Sequence, residues 1–252
     1  MAVLSQPPLL AKKRALVTGG SRGLGRAICA ALAAEGARVA FTYSRDEDGA
    51  RATAGLLALS GQPCLARKAS VLDGAATAAL VTELEQTWGG IDVLVNGAAA
   101  SQTLPVALIE EADFDHVMDV NVKGAFLTSR AVLRGMIRRK AGVILNIGSL
   151  VARRMVEAPV HYAASKAAVE GMTRSLAREM ARHGVRVNCL SPGLLEGGIS
   201  ANIPSRLRDD FLAHCALGRL GGYDEVARLA AFVVSDANPY MTGETVCIDG
   251  GL

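Results

Sequence analysis

Short apolar runs recur at near-regular intervals along the chain: ALVT at 15–18, RVAFTY at 38–43, CLARK at 64–68, IDVLVN at 91–96, GVILNIGS at 142–149, VRVNCLS at 185–191 and TVCI at 245–248. Most are nearly continuous in apolar character, which is the pattern of strands buried on both faces. Segments of helical period lie between them. The clearest is GLGRAICAALAAEG, where Leu24, Ala27, Ile28, Ala31 and Leu32 share one face and Gly36 supplies a stop. Strand and helix alternate throughout, and this predicts an α/β fold: a doubly wound, seven-stranded parallel sheet with helices on both faces.

No linker, repeat or low-complexity block divides the pattern, so residues 12–252 are expected to form a single domain. Pro7 and Pro8 point to an irregular arm over residues 1–11. In doubly wound sheets ligands sit beyond the carboxyl ends of the strands, near the point where strand order reverses. The search for chemistry therefore starts at those ends.

The first strand runs into TGGSRGLG at 18–25 and then directly into the helix described above. Gly19, Gly23 and Gly25 allow positive φ and close backbone approach, and the helix N-terminus offers N–H groups to an anion. In this strand–loop–helix context the motif reads as a dinucleotide cradle; otherwise it is a plain tight turn. A second constellation is HYAASK at 161–166, which sets Tyr162 and Lys166 four residues apart, on one face of a helix. A phenol titrates near pH 10, and a neighbouring ammonium is expected to lower that value toward use as an acid or base. Ser149 ends the fifth strand run thirteen residues before Tyr162, placed to donate to a carbonyl oxygen. His161 points elsewhere around the helix and is expected on the surface or on a pocket wall.

The loop form TGxxxGxG resembles that of the short-chain dehydrogenase/reductase family, and the likeness extends from residue 14 to residue 251. It implies a Rossmann fold and an oxidoreductase with a nicotinamide cofactor, with Gly19, Ser21, Arg22, Gly23, Leu24 and Gly25 around the phosphates. It also implies a catalytic set of Asn121, Ser149, Tyr162 and Lys166, in which Asn121 holds a water in a proton relay and Tyr162 and Lys166 also touch the cofactor. Asn96-Gly97-Ala98-Ala99 resembles the family's NNAG element, so Asn96 and Ala98 join the cofactor set, with Gly97 in place of the second Asn. Ser70-Val71 stands where the family places an adenine contact. SPGLLEGG at 191–198 resembles the turn over the nicotinamide, adding Pro192, Gly193 and Leu195. Gly197 replaces the Thr that often bonds the carboxamide there, leaving that anchor to backbone or Glu196. An acid at the end of the second strand would favour NAD, but the chain has Tyr43, Ser44 and Arg45, with Arg22 nearby, and NADPH (NADP+) is the expected cofactor. Residues 194–215 are expected to form a substrate lid.

Composition narrows the field. Apolar residues are 50% of the 252 and charged residues 20%, as in ordinary globular proteins, and the net charge of +3 is spread over 27 basic and 24 acidic side chains. Nucleic acid is therefore not an expected partner. The run Arg138-Arg139-Lys140 reads as cations at a helix carboxyl end. No metal is expected, because the four histidines lack ligand spacing, and the five cysteines read as buried thiols of a reducing, cytoplasmic compartment. No signal peptide or membrane span is expected.

TGETVCIDGG at 242–251 resembles the closing strand of reductases acting on 3-oxoacyl groups and of related alcohol dehydrogenases. The resemblance implies an NADPH-dependent reduction of a ketone, foremost a 3-oxoacyl thioester on acyl carrier protein. An alcohol, sugar or steroid dehydrogenase with the same machinery and a nucleotide-sensing binding protein are the alternatives. Arg153 and Arg154 either attract an anionic carrier or are solvated loop charges. Ala163, Ala164, Ala167 and Ala168 give a small-residue helix face, and the family likeness implies a homotetramer.

Overall fold

The computed structural model describes residues 7–198 and 203–252. All seven apolar runs are strands: β1 Arg14–Thr18, β2 Arg38–Tyr43, β3 Cys64–Lys68, β4 Val93–Asn96, β5 Gly142–Ile147, β6 Val185–Pro192 and β7 Thr245–Ile248. They form one sheet in the order β3-β2-β1-β4-β5-β6-β7, and every neighbouring pair is parallel. Strand order reverses between β1 and β4, opening a crevice above their carboxyl ends, where Thr18 pairs with Asn96. The structure is the Rossmann-type doubly wound fold expected from the alternation.

Among the described residues, eight α-helices cover the sheet: α1 Gly23–Ala34, α2 Glu47–Ala58, α3 Gly74–Trp88, α4 Glu111–Met118, α5 Gly124–Arg139, α6 Val160–Met180, α7 Ser205–His214 and α8 Tyr223–Val234. Alternate strand residues feed two cores. Val17, Phe41, Val95 and Leu145 pack with Ile28 and Leu32 of α1 and Val226 and Ala230 of α8. Leu16, Ala40, Leu94, Ile144 and Val187 pack on the other face with Leu84, Val132, Met136 and Met180. Burial on both faces is why the strand sequences are nearly continuous in apolar residues. A smaller cluster of Leu150, Phe211, Cys215 and Leu220 ties α7 to the segment after β5.

Four strand ends differ from the sequence reading: β1 takes in Arg14, β6 runs on to Pro192, and β4 and β5 are shorter than expected. Ile91 and Asp92 precede β4, because the Asp92 carboxylate is taken by the Arg14 backbone N–H (3.0 Å) and guanidinium (2.7 and 2.6 Å). Gly148 and Ser149 leave β5, and Ser149 opens a 3-10 turn, Leu150–Ala152. Of the arm expected over 1–11, residues 1–6 lie outside the described residues. Its inner end is anchored: Leu10 is fully buried, and the Leu9 N–H donates to the Glu35 carboxylate at 2.9 Å. Arg138 and Arg139 do more than face a helix dipole, since they pair with Glu85 of α3 at 2.5 and 3.5 Å.

Candidate active site

The glycine loop is held from behind. Gly19 sits at φ +75°, where a Cβ would come 2.8 Å from the Ala98 Cα, and a Cβ on Gly25 would fall onto the Gly19 carbonyl oxygen. Loop and first helical turn therefore interlock only as glycines. Arg26, which the sequence reading passed over, donates to the Ser21 carbonyl (3.1 and 2.6 Å), to Thr53 (3.0 Å) and to the Gly49 carbonyl (3.2 Å). The fully buried Thr53 hydroxyl also lies 3.1 Å from the Gly20 and Ser21 carbonyls. With these carbonyls tied inward, the first-turn N–H groups of α1 remain available, and its N-cap, Arg22, makes no side-chain cap. This geometry fits a pyrophosphate.

Beside it, Thr18 accepts from the Gly97 and Ala98 N–H groups at 3.1 and 3.2 Å, fixing the turn after β4. The Asn96 side chain does not face the crevice. It is buried, donates to Asn146 (2.8 Å) and Ser129 (3.0 Å), and accepts from Thr128 (2.5 Å), so only its backbone is on offer at the cofactor position. Ser70 accepts from the Leu72 N–H at 3.2 Å, while Val71 is buried tightly against Gly124.

At the end of β2, Tyr43 is half-buried and Ser44 and Arg45 are exposed, as is Arg22. The nearby acids are occupied: Asp46 caps α2 by accepting from the Gly49 N–H at 2.8 Å, Glu47 pairs with Lys68 at 2.6 Å, and Asp48 pairs with Arg51. Arg22 and Arg45 have no ion-pair partner among the described residues.

The proposed proton machinery meets at the carboxyl end of β5. Lys166, only 3% exposed, donates from Nζ to the Ile147 carbonyl at 2.8 Å and lies 5.7 Å from the Tyr162 ring centre. Burial pushes its ammonium pKa down to about 8. Tyr162 does not follow the expectation of a phenol drawn down by its lysine neighbour. Burial holds it above the ordinary value, and the neighbouring Ser149 hydroxyl pulls the other way. The ammonium is engaged with backbone, so what Lys166 gives this arrangement is a buried donor at the base of the site.

Asn121 sits in a π-helical turn, Asp119–Lys123, between α4 and α5. Its amide donates to the Ala100 carbonyl (3.0 Å) and Ser165 (2.9 Å), and its carbonyl accepts from the Ala100 N–H (2.8 Å). The side chain thus clamps the segment after β4 to α6, one residue from Lys166. Both amide hydrogens are used, so a relay water would have to be held by backbone or by the remaining carbonyl lone pair.

Several surrounding residues fall elsewhere than expected. His161 is fully buried, with Nε2 3.4 Å from Gln102 Oε1, and Gln102 in turn donates to Asp113 at 2.8 Å. Burial lowers the imidazole pKa, and Asp113 opposes this. Arg153 and Arg154 are paired rather than free for a carrier: Arg153 donates to the buried Glu170 at 2.8 Å, and Arg154 lies 3.7 Å from Asp249. Glu170 also accepts from Ser191 at 3.3 Å, joining the Ser149 loop, α6 and the end of β6. Of the cysteines, Cys247 is exposed and Cys64 partly so, against the expectation of five buried thiols.

After β6, Gly193 packs against Asp249, Leu195 is buried and bridges to Gly221, and Gly197 and Gly198 have φ of +91° and +63°. A Thr at 197 would be strained in this conformation. Of the expected lid, residues 199–202 lie outside the described residues, and most of the remainder is α7. Among the described residues there is no cluster able to hold a metal ion and no helix long and apolar enough to cross a membrane.

Known proteins are similar to this chain in sequence and in fold. A family profile described as Enoyl-(Acyl carrier protein) reductase matches residues 19–252. A 3-oxoacyl-[acyl-carrier-protein] reductase of Escherichia coli is 36% identical over 240 residues, 95% of this chain and 97% of its own. The reductase of the same name from Staphylococcus aureus is 35% identical, covering 95% and 98%. Among solved structures, a short-chain dehydrogenase of Burkholderia cenocepacia in complex with NADP is 35% identical with a TM-score of 0.89, over 96% of this chain and 98% of that one. The chain is thus an oxidoreductase built on a nucleotide-binding fold. It belongs to the short-chain dehydrogenase/reductase family and is similar to that family's 3-oxoacyl-[acyl-carrier-protein] reductases.

Proposed function

We propose that the protein is an NADPH-dependent ketone reductase, and that its substrate is a 3-oxoacyl thioester on acyl carrier protein. The observation that carries this reading is that Ser149, just past β5, Tyr162 on α6 and the buried Lys166 gather at one strand end, with Lys166 Nζ on the Ile147 carbonyl at 2.8 Å and 5.7 Å from the Tyr162 ring centre. Two hydroxyl donors side by side serve an acceptor oxygen on the carbon being reduced. A ketone has that oxygen; the β-carbon of an enoyl thioester does not.

The glycine loop at 19–25, Ala98 and the turn at 192–195 would hold the cofactor, whose nicotinamide supplies the hydride. Ser149 orients the carbonyl and stabilises its developing negative charge. Tyr162, kept protonated by burial, gives its proton to that oxygen. Lys166 stays largely cationic at neutral pH, since its pKa is about 8, and favours the phenolate left behind. Asn121 holds α6 in register with the strand ends. The two cations without acid partners, Arg22 and Arg45, support a 2′-phosphate and hence NADPH over NADH.

The exposed Ala164 and Ala167 on α6 and the half-exposed Phe126 on α5 support packing of helices between copies, in a homotetramer. A dehydrogenase of alcohols, sugars or steroids is the second reading, favoured by the pairing of Arg153 and Arg154, which removes two cations from carrier recognition. Initial rates with an acetoacetyl thioester against cyclic and sugar ketones, each with NADPH and NADH, separate the two. Tyr162→Phe should lower turnover by about a hundredfold or more, given the size of general acid effects. Unchanged slow turnover in that variant would instead mark a nucleotide-binding protein without catalysis.

A further inference from the structure

Tyr223 is the first residue of α8, the helix that packs with α1 in the same core. Its backbone is fixed by Glu225, which accepts from the Gly222 N–H at 2.8 Å and is itself held by Arg219 at 2.7 Å. The phenol reaches between two loops of the cofactor crevice. A Cβ added to Gly23 would lie 3.5 Å from its hydroxyl oxygen, one on Gly197 3.2 Å, and one on Gly198 2.5 Å. Three glycines from the phosphate loop and the turn after β6 therefore bracket one hydroxyl.

That hydroxyl is buried and has no hydrogen-bond partner among the described residues. Leaving a buried donor unpaired is costly, and native folds seldom accept this without a use for the group. Nothing in the packing demands the oxygen, because a phenyl ring would fill the same space. No acceptor among the described residues meets it, and the adjacent N-terminus of α1 is the place where an anion is favoured.

Resting on the cofactor reading above, we infer that Tyr223 is a pyrophosphate-binding residue: its hydroxyl donates to a phosphate oxygen over the first turn of α1. It supplies a donor on the side of the crevice where Gly197 and Gly198 carry no side chain. Burial also raises the phenol pKa, so the group remains a donor at neutral pH.

The test is equilibrium titration of the wild type and Tyr223→Phe with two ligands, NADPH and 2′-phospho-ADP-ribose, which keeps the pyrophosphate but lacks nicotinamide. Both should bind the variant about tenfold more weakly, equivalent to about 1.4 kcal/mol. Thermal stability should be equal or higher, because an unpaired hydroxyl has been removed. Unchanged affinity for both ligands overturns the inference, and so does a loss confined to NADPH, which would assign the hydroxyl to the nicotinamide end. If the wild type binds neither ligand, the cofactor reading itself falls, an outcome distinct from a wild type that binds and a variant that binds equally well.

Discussion

Lys166 gives a prediction that couples the proposed chemistry to stability. An ammonium 3% exposed, with one backbone carbonyl as its hydrogen-bond partner, is costly, and its pKa falls from 10.5 to about 8. That drop amounts to about 3 kcal/mol of penalty on the charged form in the folded state. The sign follows from proton counting. Between about pH 8 and pH 10.5 the unfolded chain binds this proton and the folded chain does not, so stability rises with pH across that window. Below pH 8 the penalty is fully present. Lys166→Met removes it, at a cost of about 1–2 kcal/mol for the Ile147 carbonyl left without its donor.

The variant should therefore be inactive yet no less stable than the wild type at pH 7. Its advantage should shrink by about 2 kcal/mol between pH 7 and pH 9.5, as the wild type loses its proton. Urea unfolding of both proteins at each pH measures this difference directly. Burial raises Cys189 to about 11 and also raises Tyr162 and Tyr223, so stability from these groups is lost at high pH; the distant Tyr223 part cancels in the difference, while Cys189, which feels the Lys166 charge, cancels only in part and adds to the shrinkage. A stability difference that stays constant across the window would refute the argument that Lys166 is a desolvated cation.

Three further outcomes are expected. Arg45→Glu should cut the ratio of NADPH to NADH affinity by about tenfold or more, with the NADPH loss diminishing at high salt, as read by fluorescence titration. Glu170→Gln releases Arg153 and weakens the tie to Ser191, so kcat should fall about three- to tenfold while nucleotide affinity holds; because Arg153 is 41% exposed, the stability cost should stay within about 1 kcal/mol by urea unfolding. Gly25→Ala forces a methyl onto the Gly19 carbonyl and should lower stability by about 1–3 kcal/mol and abolish nucleotide binding, both measurable by thermal shift with and without NADPH.

The sheet was legible because its inner strands are covered on both faces and so are apolar at nearly every position, while the edge strands β3 and β7, only partly buried, still stood out as short runs between helical segments. The ends of β2, β3 and β7 were legible too, but those of β4 and β5 were not. Asp92 looks like part of a strand until Arg14, far away in sequence, takes its carboxylate. The glycine loop and the Tyr162–Lys166 spacing could be read because the chemistry constrains residues close in sequence. Arg26, Glu170 and Tyr223 went unseen for the opposite reason: each acts on groups that only folding brings together, as when Glu170 meets Arg153 and Ser191. His161 was misplaced because helical spacing says which residues share a face but not what another element lays over it. Gln102, from the segment after β4, buries that face.

The apolar contact that Leu150 shares with Phe211, Cys215 and Leu220 sits one residue past Ser149. If the region around α7 selects the substrate, then altering its packing to admit a different acyl group also shifts the hydroxyl that grips the carbonyl. Substrate range and turnover would then be mechanically geared, and a change of one should arrive with compensating substitutions on the other side of that small oily joint.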